Sequence, residues 1–169
     1  MRRAPLTTLL ALAAAAFVAT PSSRADDGCR ESRREAPSRL VYECPGGLIL
    51  EAEAAAALRI RSAPGAVPAA VEIERRGILV RSPAPGRPLQ ILTPHAVASV
   101  RGTLFVVDVE PGTTAVFAAE GAVAVRRPDG SEEVLLSAGD GVDVAPGDPI
   151  VVQRWSDERV AGLLARFGR

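Results

Sequence analysis

The sequence predicts an all-β domain that ends in one α-helix. Three observations carry that reading. From Leu40 onward, apolar and polar residues alternate in short runs with period two. Fifteen Gly and 14 Pro among the 169 residues punctuate those runs. Only the tail, from Ser156 to Gly168, changes to a helical period.

Composition bounds the rest. This length suits one domain able to bury most of a core. A hydrophobic content of 47% argues against global disorder. All 20 basic side chains are Arg and they balance 20 acidic ones, so the basic surplus of a nucleic-acid binder is missing.

Residues 1–25 read as a secretory signal. Arg2 and Arg3 precede an apolar run from Leu6 to Val18, and Ser23-Arg24-Ala25 places small residues where a signal peptidase cuts. A membrane anchor would need about 20 apolar residues, more than this run supplies. No Cys stands at the cleavage point, which argues against a lipoprotein. The mature chain would start at Asp26, carry no transmembrane segment and be periplasmic or secreted. Its 17 Arg against 20 acids give a formal charge of −3.

Export gives the two cysteines a meaning. Cys29 and Cys44 are expected to form a structural disulfide, because an isolated pair oxidises outside the cytosol. Closing that loop contributes roughly 3 kcal/mol in the chain-entropy picture. The arginine-rich stretch Arg30–Arg39 between them reads as a solvated loop.

The elements follow in order. Leu40–Cys44 and Leu48–Leu50 flank Pro45-Gly46-Gly47 as a hairpin. From 50 to 60 every even position is apolar, while Glu51, Glu53, Arg59 and Arg61 stand at odd ones. That pattern predicts a strand despite the helix-favouring Ala54–Ala57. Ala63–Ala70 is a loop. Val71–Glu74 and Ile78–Val80 read as a strand pair around Arg75-Arg76-Gly77, followed by a loop over Pro83–Pro88. Further strands are expected at Leu89–Leu92, Ala96–Val100, Thr103–Val109, Thr114–Ala119, Val123–Val125, Val134–Leu136, Val142–Val144 and Ile150–Val152.

A Gly opens a strand at Gly47, Gly77, Gly102, Gly121 and Gly141; the last four are 25, 19 and 20 residues apart. Such spacing favours a rolled or solenoid-like stack with Gly at its corners, the alternative being a β-sandwich.

The tail opens on Ser156 as N-cap, with Asp157 and Glu158 in the first turn and Trp155 placed for a staple onto Val160. Val160, Leu163, Leu164 and Phe167 form one apolar stripe, and Gly168 stops the helix. The stripe, with Trp155, is expected either to cap the open end of the β core or to dock into a partner. The resulting division is signal peptide 1–25, disulfide-closed loop and first strand 26–47, β domain 48–154 and helix 155–169.

Leu92-Thr93-Pro94-His95, then Arg101-Gly102-Thr103-Leu104-Phe105, then Glu120-Gly121-Ala122-Val123, then the Ala138-Gly139-Asp140 turn form an ordered set. It resembles the FecR domain family of bacterial envelope proteins. The resemblance is strong over Leu89–Val144 and extends through Val71–Ile150. It implies an exported β domain that works by protein or ligand contact, with Thr93, Pro94, Arg101, Gly102, Thr103, Phe105, Glu120 and Gly121 as its motif residues. The family's best-known members join a cytoplasmic anti-sigma segment and one transmembrane helix to such a domain and sense siderophore uptake. This sequence shows no cytoplasmic region ahead of its apolar run and no second span, so direct transmembrane control of a sigma factor is not expected. Gly102 is expected at a corner or bulge, with Thr103, Phe105 and Val107 on the core face. Arg101 is expected to bond carbonyls or pair with an acid such as Glu120, a ligand-facing role being the alternative.

Candidate chemistry is sparse. His95 is the sole histidine and has no Cys or Asp at ligand spacing. Ser99 lacks a nucleophile-elbow context. Asp108, Glu110 and Glu120 do not read as a glycosidase pair, and Asp140-Gly141-Val142-Asp143 lacks the dense calcium-loop pattern. No catalytic residue, cofactor or metal is therefore expected. The reading is a non-enzymatic envelope module that binds another protein. The alternative is a domain for glycan or cell-wall polymer, disfavoured by an aromatic content of 4%.

Overall fold

A computed structural model describes residues 28–63, 65–83, 88–100 and 102–169. The expected signal peptide, most of the Pro83–Pro88 loop and Arg101 lie outside the described residues.

The strands are divided between two sheets. The larger holds β1 (Arg30–Glu35), β2 (Ser38–Glu43), β3 (Ile49–Glu53), β6 (Arg76–Ser82), β9 (Thr103–Glu110), β10 (Thr113–Glu120), β13 (Asp140–Val144) and β14 (Gln153–Arg154), adjacent in that order. The smaller runs from β12 (Glu133–Ser137) through β11 (Ala122–Arg126), β8 (Val97–Val100), β7 (Leu89–Leu92) and β5 (Ala70–Ile73) to β4 (Leu58–Arg61). One helix, α1 (Asp157–Ala165), follows. The expected all-β class with a single C-terminal helix is what forms. The chain is rolled, crossing repeatedly from sheet to sheet. Its strand pairs are antiparallel apart from β5 with β7, so the layers build a two-sheet sandwich rather than the parallel rungs of a solenoid.

The inward faces meet in one apolar layer. Leu50, Ile78 and Phe105 from the larger sheet pack against Ile73, Ile91 and Leu136 from the smaller, all fully buried. Thr103, Phe105 and Val107 share that face, as their spacing requires.

Four local expectations are corrected. The Arg30–Arg39 stretch is solvated but is a hairpin, β1 with β2, in register from Arg30–Glu43 to Glu35–Ser38. Cys29 and Cys44 occupy the next rung and are bonded, Sγ to Sγ 2.07 Å, so the disulfide closes the hairpin's open end. The run from 50 to 60 breaks at Ala55, which has a φ of 70°. β3 lies in the larger sheet and β4 in the smaller. Alternation survives the break because Leu50 and Ala52 approach the interior from one side, and Leu58 and Ile60 from the other. For the same reason β5 and β6 are not paired with each other; the chain changes sheet between them at Arg76, φ 68°. Finally, Ile150–Val152 is no strand. The Ile150 N–H donates to Glu132 Oε1 at 2.9 Å, so a side chain takes the bond a ladder would need, and pairing starts only at Gln153–Arg154.

The repeated glycines meet two different constraints. Gly102 and Gly121 stand at sheet-changing corners with φ of 62° and 71°. A Cβ on Gly121 would sit 2.8 Å from the Gly102 carbonyl oxygen. Gly77 and Gly141 lie within strands and clear space for the C-terminal segment: a Cβ on Gly141 would be 2.3 Å from Trp155 Cε2. Gly121→Val should therefore destabilise by about 2–3 kcal/mol, from left-handed backbone plus the clash, and lower the melting midpoint by roughly 5 °C or more. Gly130→Ala, also at positive φ but with nothing within 4 Å, should lower it by clearly less in the same thermal melts.

Candidate functional site

The motif residues first build structure. Thr93 Oγ1 accepts the N–H groups of Ala96, at 2.8 Å, and of His95, at 3.3 Å. It lies 2.9 Å from Thr114 Oγ1, whose residue is fully buried in β10, and His95 Nδ1 is 3.3 Å from that hydroxyl. The Thr93–Ala96 turn is thereby fastened to the core, with Pro94 at its tip. Thr103 Oγ1 donates to the Glu120 carbonyl across the corner at Gly102 and Gly121, while the Glu120 side chain is exposed. Phe105 fills the interior.

That turn forms one wall of a cleft of about 670 Å³ at the end of the sandwich. The β11–β12 connection and the loop after β13 form the others. Arg127 ties these two together. Its Nε donates to Glu132 Oε2 at 3.2 Å, its Nη1 to the Ala145 carbonyl at 3.0 Å and its Nη2 to the Asp148 carbonyl. Glu132 reaches back to Ile150 through its other oxygen. At the rim, the Ser131 N–H and hydroxyl both donate to Asp129 Oδ1, at 2.9 and 2.7 Å, and hold that carboxyl below its ordinary range. Sequence reasoning found the turns at Pro128-Asp129-Gly130 and Pro146-Gly147-Asp148-Pro149 but not the cleft, because no local pattern reports that three distant turns converge.

The helix occupies the outer face of the larger sheet, not the open end of the core. Trp155, Leu163 and Phe167 are buried against Leu79, Val106 and Phe117, with Val160 and Leu164 packed at the margin. The stripe considered for partner docking is thus turned onto the protein's own sheet. Ser156 caps the helix as expected, accepting from the Arg159 N–H at 3.3 Å. Trp155 stacks on Phe117, centroids 5.2 Å apart, and Arg159 lies 3.5 Å over the indole while pairing with Asp143.

Two terminal arginines clasp three carboxylates on that face. Arg166 donates from Nε to Glu53 Oε1 at 3.0 Å and from Nη2 to Asp108 Oδ1 at 2.8 Å, with a further bond to each carboxylate. Arg169 pairs with Glu51, which Arg39 also holds at 2.8 Å. The Gly77 N–H donates to Glu53 at 2.6 Å. Burial opposes ionisation of Glu53, but the Arg166 and Gly77 hydrogen bonds outweigh it and hold the carboxyl below its ordinary value. Asp108 foremost, then Glu53, raises the pKa of Arg166.

The remaining chemical candidates are placed as follows. Asp108 is committed to Arg166. Asp140 accepts the Ser137 N–H at 3.0 Å and faces Arg154, and Asp143 pairs with Arg159, so the acids of β13 meet arginines. Among the described residues no group of His, Cys, Asp and Glu is arranged to hold a metal ion, and no helix is long and apolar enough to cross a membrane.

These features define a two-sheet β domain with a disulfide-closed hairpin, a clasped terminal helix and an open cleft among its loops. Residues 33–124 match the family described as FecR protein, more than half of the 169-residue sequence, and the chain belongs to that family. The match takes in every motif residue from Thr93 to Gly121. It starts earlier than the resemblance read from the sequence, within β1, and ends before the Ala138-Gly139-Asp140 turn. Two crystal structures of a "putative anti-sigma factor" from Parabacteroides distasonis ATCC 8503, at 2.50 and 1.65 Å resolution, share the fold. Each has a TM-score of 0.62 and 18% identity over 80% of this chain. This chain spans 64% of theirs. No curated protein matches it.

Removing the clasp should loosen the helix. Arg166→Gln leaves Glu53 and Asp108 facing each other without their cation and should cost about 1–3 kcal/mol, less than a fully buried pair because the guanidinium is partly solvated. The sole tryptophan, Trp155, reports it by a red-shifted emission and a lower melting midpoint. Since the folded-state pKa of Glu53 is depressed, its contribution is complete above the ordinary value of 4.5 and is lost as pH falls through the lower folded value. Acid titration of the wild type should therefore shift the same emission below about pH 4.5, and the shift should be smaller in Arg166→Gln.

Proposed function

We propose that the chain is an exported, non-enzymatic interaction module of the bacterial cell envelope that binds a protein partner in signalling or scaffolding. Membership of the FecR family is the observation that carries this reading. The Cys29–Cys44 disulfide supports an extracytoplasmic location, and the apolar run from Leu6 to Val18 supports delivery by a cleaved signal peptide. The fold shared with an anti-sigma-factor-like structure adds a signalling setting by analogy. The cleft, with His95 bonded to Thr114 rather than to an acid, offers surface for contact and no assembled nucleophile and base.

Two measurements test it. Full-length protein expressed in a Gram-negative host should be recovered from the periplasm with Asp26 as its first residue; retention in the cytoplasm with residues 1–25 intact would contradict export. A photo-crosslinker placed at Ser131, on the cleft rim, should join one envelope protein, whereas the same group at Arg59, on the far edge of the smaller sheet, should not. Adducts to peptidoglycan in place of protein would replace this reading with polymer binding.

A further inference from the structure

The geometry points to the cleft as a binding site for an extended peptide segment bearing arginine or lysine, contributed by the partner protein. This rests on the reading of the chain as a protein-interaction module and names the chemistry of the contact.

The lining is rich in ring carbon and oxygen. Pro94, Pro128, Pro146 and Pro149 contribute to it, and none has a backbone N–H. The guanidinium within reach, Arg127, spends three of its five N–H groups on Glu132 and on the carbonyls of Ala145 and Asp148. The Ser131 hydroxyl and N–H are spent on Asp129. The His95 ring also lines the cleft, its Nδ1 3.3 Å from the Thr114 hydroxyl.

The charge is one-sided. Arg127 and Glu132 neutralise each other. Asp129 and Asp148 also line the cleft, are exposed, and have no ion-pair partner among the described residues. A surface of flat apolar rings with two carboxylates outside any ion pair among the described residues, one of them accepting from Ser131, is complemented by a group that carries several N–H donors and a positive charge on an apolar stem. Arginine and lysine side chains have that form.

Shape and stiffness select an extended peptide. The cleft's roughly 670 Å³ is open to solvent, so it accepts a chain passing through rather than an enclosed small molecule. Proline φ restriction, the Arg127 tie and the Thr93–Thr114 lock fix its walls before a ligand arrives, which lowers the ordering cost of binding.

The test is an NMR titration of the mature chain, Asp26–Arg169, at low salt. The probe is an acetylated, amidated Gly-Arg-Gly-Arg-Gly peptide, and its Gly-Glu-Gly-Glu-Gly counterpart is the control. Saturable shifts confined to the amides of His95, Ser131 and Gly147 are expected with the basic peptide and none with the acidic one. The double variant Asp129→Asn, Asp148→Asn should weaken binding about fivefold to tenfold. Both side chains are exposed and Asn keeps an oxygen for Ser131, so the melting midpoint should fall only slightly, which separates lost binding from lost folding. Absence of saturation, equal binding by the double variant, or shifts confined to the β1–β2 hairpin would overturn the assignment. If the crosslink from Ser131 captures an envelope protein while the basic peptide fails to bind, the cleft chemistry is wrong and the interaction reading stands. If the peptide binds but no protein is captured, the reverse holds.

Discussion

Two sheets share one apolar interior, and the chain changes sheet six times to line it, at β3–β4, β5–β6, β6–β7, β8–β9, β10–β11 and β12–β13. The corners between strands answer to that demand. Each crossing must reverse direction without lifting an apolar side chain out of the layer, so crossings collect residues of unusual backbone: Ala55, Arg76, Gly102 and Gly121 all have positive φ. The corner at Gly102 and Gly121 is tightly built. There, Thr103 hydrogen-bonds the Glu120 carbonyl, and the neighbouring carbonyl of Gly102 leaves no room for a Cβ. The Gly-Thr-x-Phe part of the motif, followed by Glu-Gly, thus describes one corner seen from its two strands.

Period-two alternation made most strands legible, because burial on one face is local to each strand. Sheet membership was not legible. Leu50 and Leu58 look like members of one strand, yet they face the same interior from opposite sides. Alternation records distance from the core and carries no label for the sheet that provides it. The Ile78–Val80 and Val71–Glu74 segments look like partners for that reason, yet they lie in different sheets. Ile150–Val152 failed differently: its β-branched residues satisfy strand propensity, but Glu132 takes the backbone donor, a contact 18 residues away that propensity does not encode.

The outer face of the larger sheet shows what a second apolar surface requires. Leu79, Val106 and Phe117 would be exposed there without the Trp155–Arg169 segment. Gly77 and Gly141, which resemble members of a repeat, leave room for that segment, since a Cβ would lie 3.0 Å from Phe167 at the first and 2.3 Å from Trp155 at the second. Helix and sheet also divide the charge: the sheet supplies Glu51, Glu53, Asp108 and Asp143, and the segment supplies Arg159, Arg166 and Arg169. The helical stripe could be read from the sequence and its capping residues confirmed in place. Its destination depended on acids up to 118 residues away, beyond any local signal.

The opposite pattern governs the cleft. Its three loops contribute little to the interior, yet they are not independent of it. Thr114 is fully buried on β10, and through Thr93 it sets the turn that carries Pro94 and His95 to the cleft wall. Arg127 likewise fixes the loop after β13, using backbone carbonyls rather than side-chain packing. Core hydroxyls and one internal guanidinium therefore determine the geometry of a surface whose exposed groups, Asp129 and Asp148, are left free of structural ion pairs. Elsewhere on the molecule, Arg39, Arg159, Arg166 and Arg169 are used to hold the hairpin and helix in place. On this wall two exposed carboxylates stand outside any ion pair among the described residues, on a geometry that the core has already set.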